Sequence, residues 1–140
     1  MELVYNPALT TVLGAGLAQS LSVTFTPTGA DATNYGPATK TVAINVQKAT
    51  PVIAWVNPAD ITYPTALGAT QLNASVTGVT GTLVYSPALT TVLGAGLAQS
   101  LSVTFTPTGA DATNYGPATK TVAINVQKAT PVITWVNPPE

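Results

Sequence analysis

The sequence predicts an all-β protein built as a β-sandwich of about seven short strands per unit, and three observations carry that reading. Hydrophobic residues alternate with Thr and Ser at a period of two, the pattern of a half-buried strand. Twelve Pro and eleven Gly punctuate the 140 residues between these runs, where turns are expected. The chain also repeats itself at a spacing of 80 residues. Residues 5–60 and 85–140 align without gaps, and the only differences are Asn6/Ser86, Ala54/Thr134, Ala59/Pro139 and Asp60/Glu140. An internal period of this length marks a tandem array.

Alternation places the strands in order. Segment 51–57 (PVIAWVN) sets Ile53 and Trp55 on one face, and Pro58 ends it. Segment 72–77 turns Leu72, Ala74 and Val76 inward, and segment 81–86 offers Leu83 and Tyr85. Segment 100–106 is the cleanest, with Leu101, Val103 and Phe105 facing Ser100, Ser102, Thr104 and Thr106 across the strand. Segment 118–127 points Val122, Ile124 and Val126 inward. Turns are expected at Tyr63-Pro64, Gly78, Gly94–Gly96 and Pro107–Pro117. No segment keeps a helical period over three turns, and Gly94 and Gly96 argue against a helix in the Ala-rich stretch at 88–98.

The polar run Val46-Gln47-Lys48-Ala49-Thr50-Pro51 reads as a linker between units. One complete unit is therefore expected at 48–127. Residues 1–47 become the C-terminal part of a preceding repeat, and 128–140 the first strand of a following one. On this phasing the chain reads as a piece of a longer protein. A sheet made of 1–47 alone would bare Leu21, Val23, Phe25, Val42, Ile44 and Val46. Leaving six such side chains in water forfeits roughly 10 kcal/mol. A linker of three or four residues spans at most about 14 Å, too short to carry 49–80 back along a strand of roughly 23 Å. That segment is expected to fold with 81–127 instead. The tail 128–140 duplicates 48–60, so a head-to-tail complex is expected in which 128–140 of one chain completes 1–47 of another.

The pattern Val103-Thr-Phe105-Thr-Pro107 … Asp111-Ala-Thr-Asn114-Tyr115 … Ala118-Thr-Lys-Thr-Val-Ala-Ile-Asn-Val126, then Lys128-Ala-Thr-Pro-Val-Ile-Thr-Trp135, resembles bacterial immunoglobulin-like tandem repeats. The resemblance covers essentially the whole chain, since the pattern recurs at 23–55. It implies an immunoglobulin-like antiparallel sandwich in an extracellular or cell-surface protein, acting as a spacer or adhesin stalk. It carries over no catalytic, cofactor-binding or metal-binding residues.

Composition removes most chemistry. There is no Cys, His or Arg, and only four Lys and five acids. Zinc sites of ordinary type, disulfides, thiol chemistry and histidine-based acid–base catalysis are excluded. No enzyme is expected, because each copy has a single loop aspartate and no paired carboxylates. A net charge of −1 gives no footprint for nucleic acid. No apolar run approaches the length of a membrane-spanning helix, so no membrane insertion is expected. Met1-Glu2-Leu3-Val4-Tyr5 lacks the basic and apolar regions of a secretory signal.

A few residues invite sharper readings. Asp31 and Asp111, each three residues before an Asn, suggest a calcium loop. One carboxylate falls short of what calcium takes, so a turn held by Asx geometry and anchored by Tyr115 is preferred. Lys40 and Lys120 share the parity of the inward residues, which raises an isopeptide crosslink to Asn. A lysine reaching out at the rim is the simpler reading. Asn73-Ala74-Ser75 matches a glycosylation sequon by accident of a strand. The Ser/Thr ladder at 100–106, or Trp55 and Trp135, would be the platform if the chain bound a glycan. Parity assigns both tryptophans to the core instead.

Overall fold

A computed structural model describes residues 2–140. Among these residues, nine strands and two single-turn helices follow in chain order. Strands β1 (Glu2–Asn6), β2 (Gly16–Thr26) and β3 (Ala38–Val46) form one antiparallel sheet in the order β1-β2-β3, with α1 (Asp31–Asn34) between the last two. Strands β4 (Ile53–Ala54) and β6 (Ser75–Val76) form a two-stranded sheet. The remaining strands, β5 (Ile61–Thr62), β7 (Gly81–Ser86), β8 (Gly96–Pro107) and β9 (Ala118–Gln127), form a sheet in the order β5-β9-β8-β7, with α2 (Asp111–Asn114) between β8 and β9. The fold is all-β, and every pairing is antiparallel except β5 with β9.

The core lies between the small sheet and the four-stranded one. Ile53, Trp55, Leu67 and Leu72 pack against Leu101, Val103, Phe105, Val122 and Ile124. Each of these is less than a tenth exposed, and the alternation read from the sequence gives the facing of every strand residue among them. The indole of Trp55 meets the ring of Tyr85 edge to face at a centroid distance of 5.6 Å, and its Nε1–H donates to the Gln71 carbonyl at 3.1 Å. Segment 49–80 thus folds onto 81–127, the pairing that the short linker favours.

Four details differ from the sequence reading. The unit 48–127 holds six strands, not about seven. Segments 51–57 and 72–77 shrink to two-residue ladders, because Pro51 and Pro58 have no N–H to give a sheet. After β4 the chain leaves the small sheet, and by Asn57 it is bonded to the edge of β9. Third, Gly96 is not a turn: it opens β8 opposite Val126. A bulge between Gly96 and Gln99 accommodates the extra length, with Ala98 at φ 53°. The Ala98 N–H, freed from the ladder, donates to Asn125 Oδ1 at 2.8 Å, and Gln99 Nε2 donates to the Gly94 carbonyl at 2.6 Å. Fourth, the turn at 107–117 contains the single helical turn α2, closed by Tyr115 N–H on Asp111 O at 2.9 Å.

Tyr85 also ties the two layers by a polar contact. Its hydroxyl accepts the Ala74 N–H at 3.1 Å. Removing that acceptor leaves a half-buried donor unpaired, a loss of about 0.5–1.5 kcal/mol. Tyr85→Phe is therefore expected to lower the urea midpoint with an unchanged m-value, checked by equilibrium unfolding.

Candidate functional site

Two sheets in this molecule share a sequence but not an environment. In β7–β9 the inward residues Leu101, Val103, Phe105, Val122, Ile124 and Val126 are no more than 6% exposed. Their counterparts in β1–β3 keep the same register: Leu21 opposite Val42, Val23 opposite Lys40, Phe25 opposite Ala38, as Leu101, Val103 and Phe105 stand opposite Val122, Lys120 and Ala118. Yet Val42 is 53% exposed and Ile44 43%. What differs is the cover. Segment 50–76 lies over the second sheet, and no described segment lies over the first. The tail that duplicates this cover is itself open to solvent: Ile133 is 87% exposed and Trp135 84%, where Ile53 and Trp55 are 8% and 7%.

The cover is held along the β9 edge by a row of specific contacts. Asn57 Oδ1 accepts the Ala123 N–H at 3.0 Å. The Asp60 carboxylate accepts from Asn125 Nδ2 at 3.1 Å and from Gln127 Nε2 at 3.0 Å. Ile61 and Thr62 pair in parallel with Val126 and Gln127, and the Tyr63 N–H donates to the Gln127 carbonyl at 2.9 Å.

A second constellation lies where the two repeats meet. The Ala49 N–H donates to the Asn114 carbonyl and the Gly116 N–H to the Ala49 carbonyl, both at 2.8 Å. Lys48 Nζ donates to the Ala112 carbonyl at 3.0 Å. Asn114 Oδ1 reaches back to the preceding repeat and accepts the Ala15 N–H at 2.8 Å. The loop after β8 of one repeat therefore grips both the linker and the loop before β2 of the repeat ahead of it.

The residues singled out in the sequence fall differently. The Asp111 carboxylate accepts the Thr80 N–H at 2.6 Å, so it staples two loops together across the sheet end rather than capping its own turn. Asp31 is exposed. No group of three or more metal-ligating side chains occurs among the described residues. Tyr115 is half-buried and bridges in parallel to Ala49, which makes it part of the junction. Lys40 and Lys120 are both exposed, although each stands opposite an inward valine, so they reach outward at the sheet's end. Asn73 is exposed. In the hydroxyl ladder Ser100, Thr104 and Thr106 are exposed, while Ser102 Oγ turns back to donate to the Ser86 carbonyl at 3.2 Å. Trp55 is core, as parity assigned it, but Trp135 is not.

Sequence reading missed the contacts of Asn57, Asp60 and Asn114 and the burial of Leu67. The first three act through contacts with residues more than sixty positions away or in the neighbouring repeat. Leu67 lies in a stretch with no alternation, yet it is 1% exposed and trades backbone hydrogen bonds with Thr90 and Thr91. Comparison of the chain with protein-family models, with curated proteins and with solved structures gives no match.

Proposed function

We propose that this chain is a non-enzymatic segment of immunoglobulin-like tandem repeats serving as a spacer or stalk in a bacterial extracellular or cell-surface protein of adhesin type. The observation that carries the reading is the direction of the 57–63 clamp on β9. Segment 57–63 and β9 run parallel. A pull between the start of the unit near residue 50 and its end near residue 127 draws the two segments past each other. Every bond in the row then bears load together, because sliding strands must break their hydrogen bonds at once rather than one at a time. The bonded junction at Ala49 and Asn114 passes load to the neighbouring repeat at a second set of bonds. Both features suit a rod that must transmit tension, and the resemblance to bacterial immunoglobulin-like repeats supports the same assignment.

Single-molecule pulling on the chain, attached through its two ends, tests this. The expected trace has one sharp force peak, followed by release of up to roughly 280 Å of chain for a unit of about 80 residues. Asp60→Ala removes two of the loaded contacts and is expected to lower the peak force while leaving the released length unchanged. A gradual extension with no peak contradicts a tension-bearing role.

A further inference from the structure

We infer that the loop 112–116 is an interaction surface whose partner is the preceding repeat of the same chain, and that it locks successive repeats at one fixed orientation. The lock holds whether or not the chain is a stalk. Neighbouring domains move relative to each other by default, unless a large apolar contact joins them. Here the junction keeps a cleft of about 430 Å³, lined by Val12, Leu13 and Val46 of one repeat and by Asp111, Asn114 and Tyr115 of the next. Directional hydrogen bonds, not packed side chains, therefore set the angle.

The position of those bonds makes the lock. Ala49 is fixed to the second repeat on both sides of its Cα, because its N–H bonds to Asn114 and its carbonyl to Gly116. Strand β3 ends at Val46, so the hinge between the repeats is confined to the backbone torsions of Gln47 and Lys48. Lys48 is itself tethered, through Nζ on the Ala112 carbonyl at 3.0 Å. The Asn114 side chain then bypasses the hinge, since its Oδ1 accepts the Ala15 N–H at 2.8 Å. The loop at Gly14 and Ala15 is held to β2 in turn, where Gln19 Nε2 donates to the Gly14 carbonyl at 2.6 Å. Because β2 pairs with β3, these bonds close a ring from β3 through 47–49, the loop 112–116 and Ala15 back to β2. Torsions inside a closed ring cannot vary independently. The approach is also tight: a Cβ on Gly14 would stand 3.2 Å from Asn114 Oδ1.

Both halves of the contact recur at the 80-residue period, as Gly94-Ala95 with Lys128-Ala129 and as the loop 32–36. In a tandem array of this unit every step carries the same lock. Equal rotations then add up to a regular, stiff rod rather than beads on flexible linkers.

Residual dipolar couplings and amide relaxation of the full chain test the lock. In the wild type the amides of β1–β3 and β7–β9 are expected to fit one alignment tensor, with Gln47 and Lys48 relaxing like strand residues. Asn114→Ala removes the side-chain tether and leaves the backbone bonds at that position in place. Its two sheets are expected to need separate tensors, and the heteronuclear NOE at Gln47 and Lys48 to drop to that of a mobile linker. Asn114 is exposed, so the melting midpoint of the 48–127 unit stays unchanged. Thr113→Ala, at an exposed position of the same loop, should keep the single tensor. Separate tensors in the wild type overturn the inference, and so does a single tensor in Asn114→Ala. Either failure leaves the pulling experiment unaffected, since its force peak reads the unfolding of the unit and not the angle at the junction.

Discussion

Phe105→Ala is expected to destabilise the 48–127 unit by about 3–5 kcal/mol, while Phe25→Ala, the same substitution in the same local sequence, costs far less. Phe105 is 2% exposed and belongs to the core cluster beneath the cover. Truncating it removes the transfer free energy of a buried ring and leaves a cavity that close-packed neighbours fill only partly. Phe25 occupies the matching position opposite Ala38, but it is only half-buried. A side chain already in contact with water loses less when removed and leaves no enclosed void. Urea unfolding followed by Trp55 fluorescence reads the covered unit directly. Phe105→Ala shifts that transition to much lower urea, and Phe25→Ala leaves it nearly in place. Equal shifts would mean that the two sheets have equal cover.

Gly81→Ala is expected to cost about 1–3 kcal/mol, although alanine is usually the gentlest replacement for glycine. Gly81 opens β7 opposite Pro107. A Cβ placed there runs into the Thr106 carbonyl oxygen and the edge of the Phe105 ring. The first obstacle is backbone and cannot rotate away. The second is the ring of a residue buried in the core cluster. The position requires glycine for space, not for an unusual φ. Thermal unfolding monitored by near-ultraviolet circular dichroism checks it, since the aromatic signal reports the disturbed packing. Gly94→Ala provides the contrast: a Cβ there meets nothing within 4 Å, and the midpoint should hold.

Much of the covered unit was legible in the sequence because its strands obey a local rule. Leu101, Val103 and Phe105, like Val122, Ile124 and Val126, alternate with polar residues, and the sheet buries them as the period dictates. The segment from Pro58 to Gln71 was not legible. Its residues answer to distant partners: Asp60 to Asn125 and Gln127, Leu67 to Thr90 and Thr91. No local period records such pairings. Asp111 was read as a turn former and is in fact a staple on Thr80, because a carboxylate takes whichever N–H the fold presents. Asn114 was noticed only as a loop residue. Its role emerges when the preceding repeat brings Ala15 within reach, so it belongs to the array and not to the unit.

Identical strands differ in this molecule only through the cover laid over one of the two sheets. Amide hydrogen exchange resolved by NMR measures this residue by residue, because the two copies provide internal controls for each other. At low concentration the amides of 101–105 and 122–126 are expected to exchange at least a hundredfold more slowly than those of 21–25 and 42–46, since packing under a cover raises the free energy of local opening. Equal protection of the two sheets at low concentration would contradict the account.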